Sequence, residues 1–145
     1  MRPDISTWGL MVARVVSLRA TCPRRQVGCV LLDDHGFILS TGYNGVAPGL
    51  PHCVDKPCPG IGLPAGTGLD LCEAIHAEAN ALITCPDVGR VARIYITTSP
   101  CIHCVKLLMR TSAKELYFIE EYAGSEGPKF LWERDGRLWI HKPIP

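Results

Sequence analysis

The stretch RVARIYITTSPCIHCVKLLMRT, residues 90–111, places a run of strand-forming residues directly before a helical pattern. Valine, isoleucine, tyrosine and threonine dominate residues 90–98 and predict a strand. Pro100 predicts a helix start, because proline is favoured at the first position of a helix. KELYFI, residues 114–119, predicts the next strand. A strand, a helix and a strand in this order indicate an α/β fold with a layered sheet.

The remainder of the chain continues this alternation. Apolar residues from 5 to 16 recur at helical spacing and predict a first helix. VGCVLL (27–32) and GFILSTGY (36–43), joined by the turn-forming DDHG, predict a hairpin. CEAIHAEANALIT (72–84) predicts another helix, and the tail after 119 predicts a short helix and an edge strand.

Length and composition indicate one compact domain over residues 1–145, since 47% of the residues are hydrophobic and 20% are charged. A net charge of +1 gives no bulk attraction to nucleic acid or to an anionic membrane, so we expect neither partner. Asp4 and Arg14 interrupt the apolar N-terminal residues, which therefore lack a secretory pattern. No apolar run approaches the length of a membrane span, and we expect a cytoplasmic protein.

Eight cysteines require an explanation. In a reducing cytosol such a density indicates metal ligands or a catalytic thiol more often than disulfides. Cys29 and Cys85 lie in apolar surroundings and are expected to be core residues. Several others fall in or beside residues 46–70, a segment rich in proline and glycine that predicts a long loop. A loop of this length is usually functional or held in place by something.

The motif that carries chemistry pairs His76-Ala77-Glu78 with Pro100-Cys101-Ile102-His103-Cys104. Cys101 and Cys104 are three residues apart and are predicted to share one face of a helix. One imidazole and two thiolates are ligands that zinc accepts, and they leave a fourth position open, as in a catalytic site. Glu78 is then a proton carrier, not a ligand. A redox CxxC would normally follow the first strand, and a structural zinc finger would not need Glu78.

With these motifs the chain resembles the zinc-dependent cytidine deaminase superfamily, and within it the deoxycytidylate (dCMP) deaminases. The similar segments are TCPRRQVGCVLL (21–32), STGYNG (40–45), CEAIHAEANALI (72–83) and RIYITTSPCIHC (93–104), in the family's order. The resemblance implies an α/β three-layer αβα sandwich with a mixed sheet of about five strands. It also implies hydrolysis of dCMP to dUMP and ammonia, which supplies dUMP for thymidylate synthesis.

The resemblance assigns roles to the catalytic residues. Zinc bound by His76, Cys101 and Cys104 activates water for attack on C4 of cytosine. Glu78 takes a proton from the water, protonates ring atom N3 and later delivers a proton to the departing amine. A two-residue step on an ideal helix would point His76 and Glu78 in nearly opposite directions, so we expect both to lie at the first turn.

Substrate contacts are also implied by the resemblance. Asn44 is expected at the sugar and Tyr122 against the base, with Ala77 and Ser99 beside them. Arg24, Arg25 and Gln26 precede the first strand and could bind the phosphate, and Arg24 is the first choice. The alternatives are that Asn44 is an ordinary turn residue, that Tyr122 is a surface aromatic and that the arginines are only solvated.

A second zinc site is implied because some relatives carry one at this loop. We expect the ligands Cys22, Cys53, Cys58 and Cys72, with His52 as the substitute, and hence a metal-stapled loop over residues 46–72. Four thiolates around zinc would supply folding energy that a loop of low apolar content lacks. The alternative is that these cysteines bind no metal.

Regulation is the last implication of the resemblance. Many dCMP deaminases are homohexamers that dCTP activates and dTTP inhibits, with Mg²⁺ accompanying the triphosphate. Gly42, Tyr43, Asn44 and Gly45 form the motif that belongs to the effector site. Three hypotheses compete with this interpretation. They are a deaminase of free deoxycytidine, of a pterin or riboflavin precursor or of tRNA; a nucleic-acid editor, whose basic face a net charge of +1 does not suggest; and a non-catalytic zinc-binding module.

Overall fold

The computed structural model describes residues 1–64, 67 and 71–145. Its described part contains four α-helices and five strands, together with a short 3-10 turn at Val88–Arg90. In chain order the elements are α1 (Ile5–Ser17), β1 (Gly28–Leu32), β2 (Ile38–Tyr43), α2 (Ala77–Thr84), β3 (Arg93–Thr98), α3 (Ile102–Leu108), β4 (Glu115–Glu120), α4 (Glu126–Glu133) and β5 (Leu138–His141).

The five strands form one mixed sheet in the order β2-β1-β3-β4-β5. β1 pairs with β2 and with β3 in the antiparallel direction, whereas β3 with β4 and β4 with β5 are parallel. The hairpin predicted at residues 27–43 is confirmed, and β5 is the predicted edge strand. The parallel half follows from the helical crossovers, because parallel neighbours cannot be joined by a tight turn.

Helices cover both faces of the sheet, which confirms the predicted three-layer αβα sandwich. Successive residues of β1 point to opposite faces, so Val30 and Leu32 pack against α1 while Cys29 and Leu31 pack against the other helices. The buried residues of α2, α3 and α4 on that second face are Ala77, Ala81, Val105, Leu108 and Trp132. Cys29 is fully buried and Cys85 packs against the same cluster, as expected for core cysteines.

Two glycines allow helices to approach the sheet closely. A Cβ atom at Gly28 would lie 2.0 Å from the carbonyl oxygen of Ala13 in α1. A Cβ atom at Gly42 would lie 2.3 Å from the carbonyl oxygen of Ala77 in α2. Any side chain at these positions would push α1 or α2 off the sheet, and α2 is the helix that begins at the HAE motif.

Two predicted helix boundaries were wrong. The helix predicted over 72–84 begins only at Ala77, because Ile75 instead pairs with Gly45 in an isolated antiparallel bridge. Pro100 does not occupy the first helical position; Cys101 is the N-cap of α3, and proline lies just before it. In both cases the chain remains extended up to the predicted metal ligand, His76 or Cys101, and turns helical immediately after it.

The predicted long loop contains only turns and bends in its described residues, 46–64 and 67. The Gly45–Ile75 bridge joins its two ends, with N–H···O distances of 3.0 and 2.8 Å. Across the described residues, none of the helices has the length and apolar character that a membrane span requires.

Candidate active site

Three potential zinc ligands meet where α2 and α3 begin. His76 Nδ1 lies 3.3 Å from Cys104 Sγ and 3.7 Å from Cys101 Sγ. In the part of the chain that the structure describes, these are the only three His, Cys, Asp or Glu side chains whose ligand atoms all lie within 4.8 Å of one another. The structure therefore brings together all three residues that the sequence predicts for the catalytic zinc.

The local fold explains this meeting. His76 is the N-cap of α2, and Cys101 is the N-cap of α3, which follows β3 after a short connection. Cys104 lies in the first turn of α3 and is buried. Both helices pack on the same face of the sheet, so their first residues converge at one point.

His76, Cys101 and Cys104 share protons through hydrogen bonds, and a metal cation could take the place of those protons. A hydrogen bond from the Cys104 thiol, together with one from His76, lowers the pKa of Cys101 to about 3. The same Cys101–Cys104 contact, with burial, raises the pKa of Cys104. The hydrogen bond to Cys101 also raises the pKa of His76. Thiolate and imidazole are the donors that zinc accepts, and zinc binding replaces the protons that these atoms share, so the residues present fit the metal.

Glu78 lies in the first turn of α2, two residues after His76, and only 4% of its surface is exposed. The prediction that both residues lie at the helix start is confirmed, and both line the same pocket. Burial raises the pKa of the Glu78 carboxyl above its ordinary value. A buried carboxyl with a raised pKa is suited to proton transfer near neutral pH.

The pocket extends from the trio to the loop that precedes β1. It is lined by Cys22, Arg24, Arg25, Val27, Asn44, Cys72, Ala74, His76, Ala77, Glu78, Thr98, Ser99, Cys101 and Tyr122. Of the predicted substrate residues, Gln26 is exposed and does not line the pocket. The lining residues that the sequence analysis did not single out are Val27, Ala74 and Thr98, which carry no motif or charge that would have marked them.

Two of the predicted substrate residues are occupied by contacts within the chain. Asn44 accepts a hydrogen bond from the Val27 N–H at 2.7 Å and donates one to the Arg25 carbonyl at 2.7 Å. The Arg24 guanidinium donates to three loop carbonyls, those of Gly60, Pro64 and Thr67, at 2.7 to 2.9 Å. Asn44 therefore shapes the segment before β1, and Arg24 holds the loop.

Arg25 and Tyr122 contact each other inside the pocket. The guanidinium carbon of Arg25 lies 4.6 Å from the centroid of the Tyr122 ring. The Tyr122 N–H donates to Ser99 Oγ at 2.7 Å, which holds the tyrosine backbone beside the end of β3. Among the hydrogen bonds of the described residues, none joins the Arg25 guanidinium to a loop carbonyl, in contrast to Arg24.

Comparison with known proteins identifies the family. Residues 5–120 match the family model for the cytidine and deoxycytidylate deaminase zinc-binding region. The chain belongs to this deaminase family. It is 36% identical over 128 residues to ComE operon protein 2 of Bacillus subtilis, an alignment that covers 86% of this chain and 64% of that protein.

Two other relatives of this deaminase domain are named deoxycytidylate deaminases. The Mycobacterium phage D29 protein is 32% identical over 127 residues, with 83% of this chain and 98% of that protein covered. The Saccharomyces cerevisiae protein is 31% identical over 128 residues, with 87% of this chain but only 41% of that protein covered. The chain thus spans less than two thirds of the length of the Bacillus and yeast relatives.

The deaminase fold is also found in solved structures. The dCMP deaminase from the cyanophage S-TIM5, in complex with dCMP and dUMP, superposes with a TM-score of 0.72 at 24% identity. That alignment covers 97% of this chain and 98% of the cyanophage chain. At this level of identity the similarity establishes the shared fold.

The loop cysteines of this deaminase domain lie close together. Cys53 Sγ and Cys58 Sγ are 3.4 Å apart, and the Cys58 N–H donates to Cys53 Sγ at 3.2 Å. Cys22 is buried beside them, and the half-buried Cys72 shares the pocket lining with Cys22. No three of the four sulfurs, all on described residues, lie mutually within 4.8 Å, so the group is more open than the catalytic trio. His52 is exposed and lies 4.0 Å from Asp55.

Each residue of the GYNG motif has a contact within the deaminase domain. Gly42 allows α2 to approach the sheet, and Gly45 pairs with Ile75. The Tyr43 carbonyl accepts a hydrogen bond from Asn80 in α2 at 2.9 Å. The motif therefore joins β2 to α2, the helix whose N-cap is the predicted zinc ligand His76.

Proposed function

We propose that the protein is a zinc-dependent deaminase that hydrolyses dCMP to dUMP and ammonia. The observation that carries the proposal is that His76, Cys101 and the buried Glu78 line one pocket, with Cys104 grouped beside His76 and Cys101. The same pocket is lined by two arginines and an aromatic side chain. Membership of the deaminase family supports the reaction type, and the names of the phage D29 and yeast relatives support the nucleotide substrate.

The catalytic residues divide the work. His76, Cys101 and Cys104 would hold zinc, which would supply the Lewis acidity needed to activate water at neutral pH. Glu78 accepts one proton of the attacking water and transfers it to N3 of the cytosine ring. It then takes the second proton, from the hydroxyl now bound to C4, and delivers it to the amine, which leaves as ammonia while the C4 carbonyl forms. Its burial keeps the proton from exchanging with bulk solvent, and its raised pKa lets one carboxyl both accept and donate.

Substrate binding follows from the pocket lining. Tyr122 stacks on the cytosine ring, since the face of an aromatic side chain can stack on any base. Ser99 and Ala77 border the base, and Asn44 borders the sugar. Arg25, not Arg24, binds the phosphate, because the Arg24 guanidinium already donates to three loop carbonyls. Gln26 is exposed, which leaves its predicted role at the phosphate without support.

The test of this function compares two substrates. Zinc-loaded protein is incubated with dCMP and, separately, with deoxycytidine, and the loss of cytosine absorbance is followed. Conversion of dCMP at a much higher kcat/KM than deoxycytidine is the expected result. Equal conversion of both would overturn the nucleotide assignment, and conversion of neither, with dCTP and Mg²⁺ present, would overturn the proposed reaction.

A second, structural zinc between Cys22, Cys53, Cys58 and Cys72 is part of the proposal. Its support is the proximity of Cys53 and Cys58 and the burial of three of the four thiols. Metal analysis is expected to give two zinc ions per chain in the wild type and one in Cys53→Ser. The matched control is Cys85→Ser, a core cysteine outside both clusters, which should retain two. One zinc in wild type and Cys53→Ser alike would refute the second site.

Regulation and cellular role complete the proposal. Activation by dCTP with Mg²⁺, inhibition by dTTP and assembly into a homohexamer would make the enzyme a controlled cytoplasmic source of dUMP for thymidylate synthesis. The support is the GYNG motif at residues 42–45 together with family membership. Sigmoidal turnover that dCTP makes hyperbolic is the expected result. Hyperbolic turnover insensitive to both triphosphates would contradict it.

A further inference from the structure

Arg25 covers a ring that the proposed function assigns to the base. Its guanidinium carbon lies 4.6 Å from the Tyr122 centroid, within the range of a cation–π contact. Both side chains are half-buried and line the pocket that contains His76 and Glu78. A guanidinium over an aromatic face and a base stacked on that face cannot be present at the same time.

The backbone on each side of this contact is fixed. The Arg25 carbonyl accepts a hydrogen bond from Asn44 Nδ2 at 2.7 Å, and the Tyr122 N–H donates to Ser99 Oγ at 2.7 Å. The Tyr122 backbone is therefore held beside the ends of β3 and β4, and the Arg25 backbone is held by the residue that follows β2. The part that can move at low cost is the long Arg25 side chain.

The neighbouring Arg24 has a guanidinium that is fixed by hydrogen bonds. Arg24 donates to carbonyls of Gly60, Pro64 and Thr67, so its displacement would break three hydrogen bonds. Arg25 has the ring as its partner, and a half-buried cation–π contact is weaker than a bidentate bond from guanidinium to phosphate. A phosphate that enters the pocket therefore attracts Arg25 away from the ring.

We propose that Arg25 is a gate that selects nucleotides over nucleosides. Without a phosphate, its guanidinium covers Tyr122 and blocks the stacking position. The phosphate of the incoming nucleotide draws the guanidinium off the ring, and the base stacks on the exposed face. A nucleoside has no group to draw the arginine away and must displace it unaided, so binding of the correct substrate assembles its own site. This inference rests on the proposed function.

The gate predicts that removing the Arg25 side chain changes the affinities for dCMP and for deoxycytidine in opposite directions. In zinc-loaded Glu78→Gln protein, where turnover is slow, calorimetry gives the Kd of dCMP and of deoxycytidine. Adding Arg25→Ala is expected to weaken dCMP binding roughly 10- to 100-fold, because a charged hydrogen-bond donor is lost. The same change is expected to tighten deoxycytidine binding about two- to fivefold, because the cover over Tyr122 is removed.

Two further variants separate the gate from simpler roles. Arg25→Lys keeps the charge but not the planar, bidentate group, and it should recover only part of the dCMP affinity. Arg19→Ala removes an exposed arginine outside the pocket lining and should leave both affinities unchanged. In the catalytically competent protein, Arg25→Ala should raise KM for dCMP more than it lowers kcat, whereas damage to the fold would lower kcat for both substrates.

Each outcome decides between the hypotheses. Weaker dCMP binding with unchanged or weaker deoxycytidine binding would overturn the gate and leave Arg25 as a plain phosphate ligand or a structural residue. If wild-type protein deaminates dCMP while this result is obtained, the proposed function stands and the gate alone fails. If the parent protein binds neither ligand, both the gate and the proposed function fail.

Discussion

The two walls of the pocket are held in place by different interactions. The helical wall, formed by residues 76–84 and 101–108, packs on the sheet through side chains that are completely buried, such as Ala77, Ala81, Val105 and Leu108. The loop wall, residues 46–72, reaches the pocket lining through Cys72 and through Arg24, whose guanidinium it binds. Among the described residues of this range, only Cys53 and Cys58 have buried side chains. It is held by Arg24 and by the thiol cluster.

Because of this difference, the residues proposed for the chemistry lie on one wall and the residues that enclose the substrate lie largely on the other. The residues that would bind zinc and move protons lie on the wall that core packing stabilises, so their geometry is as stable as the domain itself. The loop wall depends on polar contacts and thiols, which can loosen without unfolding the sheet. The following predictions test this division, beginning with the largest effect.

The first prediction removes the proton carrier from the helical wall. Glu78→Gln should lower the turnover of dCMP by roughly 10²- to 10⁴-fold, because a positioned general acid–base is lost while shape and zinc ligands remain. Zinc content, by metal analysis, should be unchanged. Glu133→Gln, an exposed acid at the end of α4, serves as the control and should keep normal turnover. Near-normal turnover in Glu78→Gln with zinc bound would remove the proposed role.

The second prediction adds the same methyl group to each wall. Gly42→Ala forces a Cβ atom to within 2.3 Å of the Ala77 carbonyl oxygen and should lower the free energy of unfolding by about 1–3 kcal/mol. Gly62→Ala, in the loop wall, meets no atom within 4 Å and should change it by less than about 1 kcal/mol, in the stabilising direction. Urea unfolding measures both. Equal losses would show that the two walls are packed alike.

The third prediction loosens the loop wall alone. Arg24→Ala removes the donors to the carbonyls of Gly60, Pro64 and Thr67. Local opening of the loop should become easier by about 1 kcal/mol, since these contacts are partly exposed to water. Protease cleavage within residues 46–72 should accelerate about fivefold while the global unfolding midpoint stays unchanged. A parallel fall in global stability would show that the loop belongs to the core.

The smallest effect concerns a polar contact of the scaffold far from the pocket. Asp33 accepts hydrogen bonds from the Phe37 and His35 N–H groups in the hairpin turn and pairs with Arg90 at 3.3 Å, and these contacts, led by the Phe37 bond, lower its pKa from 3.8. A folded-state pKa below the unfolded value means that this stabilisation is complete above pH 3.8 and is lost as the pH falls through the folded-state pKa.

The measurement compares wild type with Asp33→Asn, which keeps an acceptor but cannot ionise. Denaturant unfolding at pH 5 and at pH 3 should show a larger decline for the wild type than for the variant. Protonation of the zinc ligands affects both proteins alike, so the difference between the two declines belongs to Asp33. Identical declines would show that the turn carboxylate contributes nothing that depends on its charge.

The sequence predicted the helical wall more completely than the loop wall. Strand, turn and helix signals are local, so the hairpin, the β3–α3 unit and the meeting of His76 with Cys101 and Cys104 follow from short segments. The start of α2 was misplaced because residues before Ala77 have helical propensity but pair with Gly45 instead. A contact between distant residues outweighed a local preference.

The loop wall depends on pairings that no local pattern encodes. Arg24 was chosen as the phosphate ligand because charge and position are visible in the sequence, whereas its carbonyl partners lie 36 to 43 residues away. The contact of Arg25 with Tyr122 joins residues almost a hundred positions apart in the chain. It depends on the pairing of β4 with β3, because Tyr122 follows β4. Their number and their place in or beside the loop singled out the four loop cysteines, but the sequence did not reveal that they form an open group.

Because the Gly45–Ile75 bridge joins the two ends of the loop wall, the number of residues in the loop can vary. Because two backbone hydrogen bonds fasten its ends together, residues can be inserted or deleted between them without moving β2 or His76. Closing a longer loop is inexpensive, since each doubling adds only about 0.6 kcal/mol of entropy. The enclosure of the substrate can therefore be rebuilt by grafting a loop of different length, while the half of the pocket that would bind zinc keeps its register.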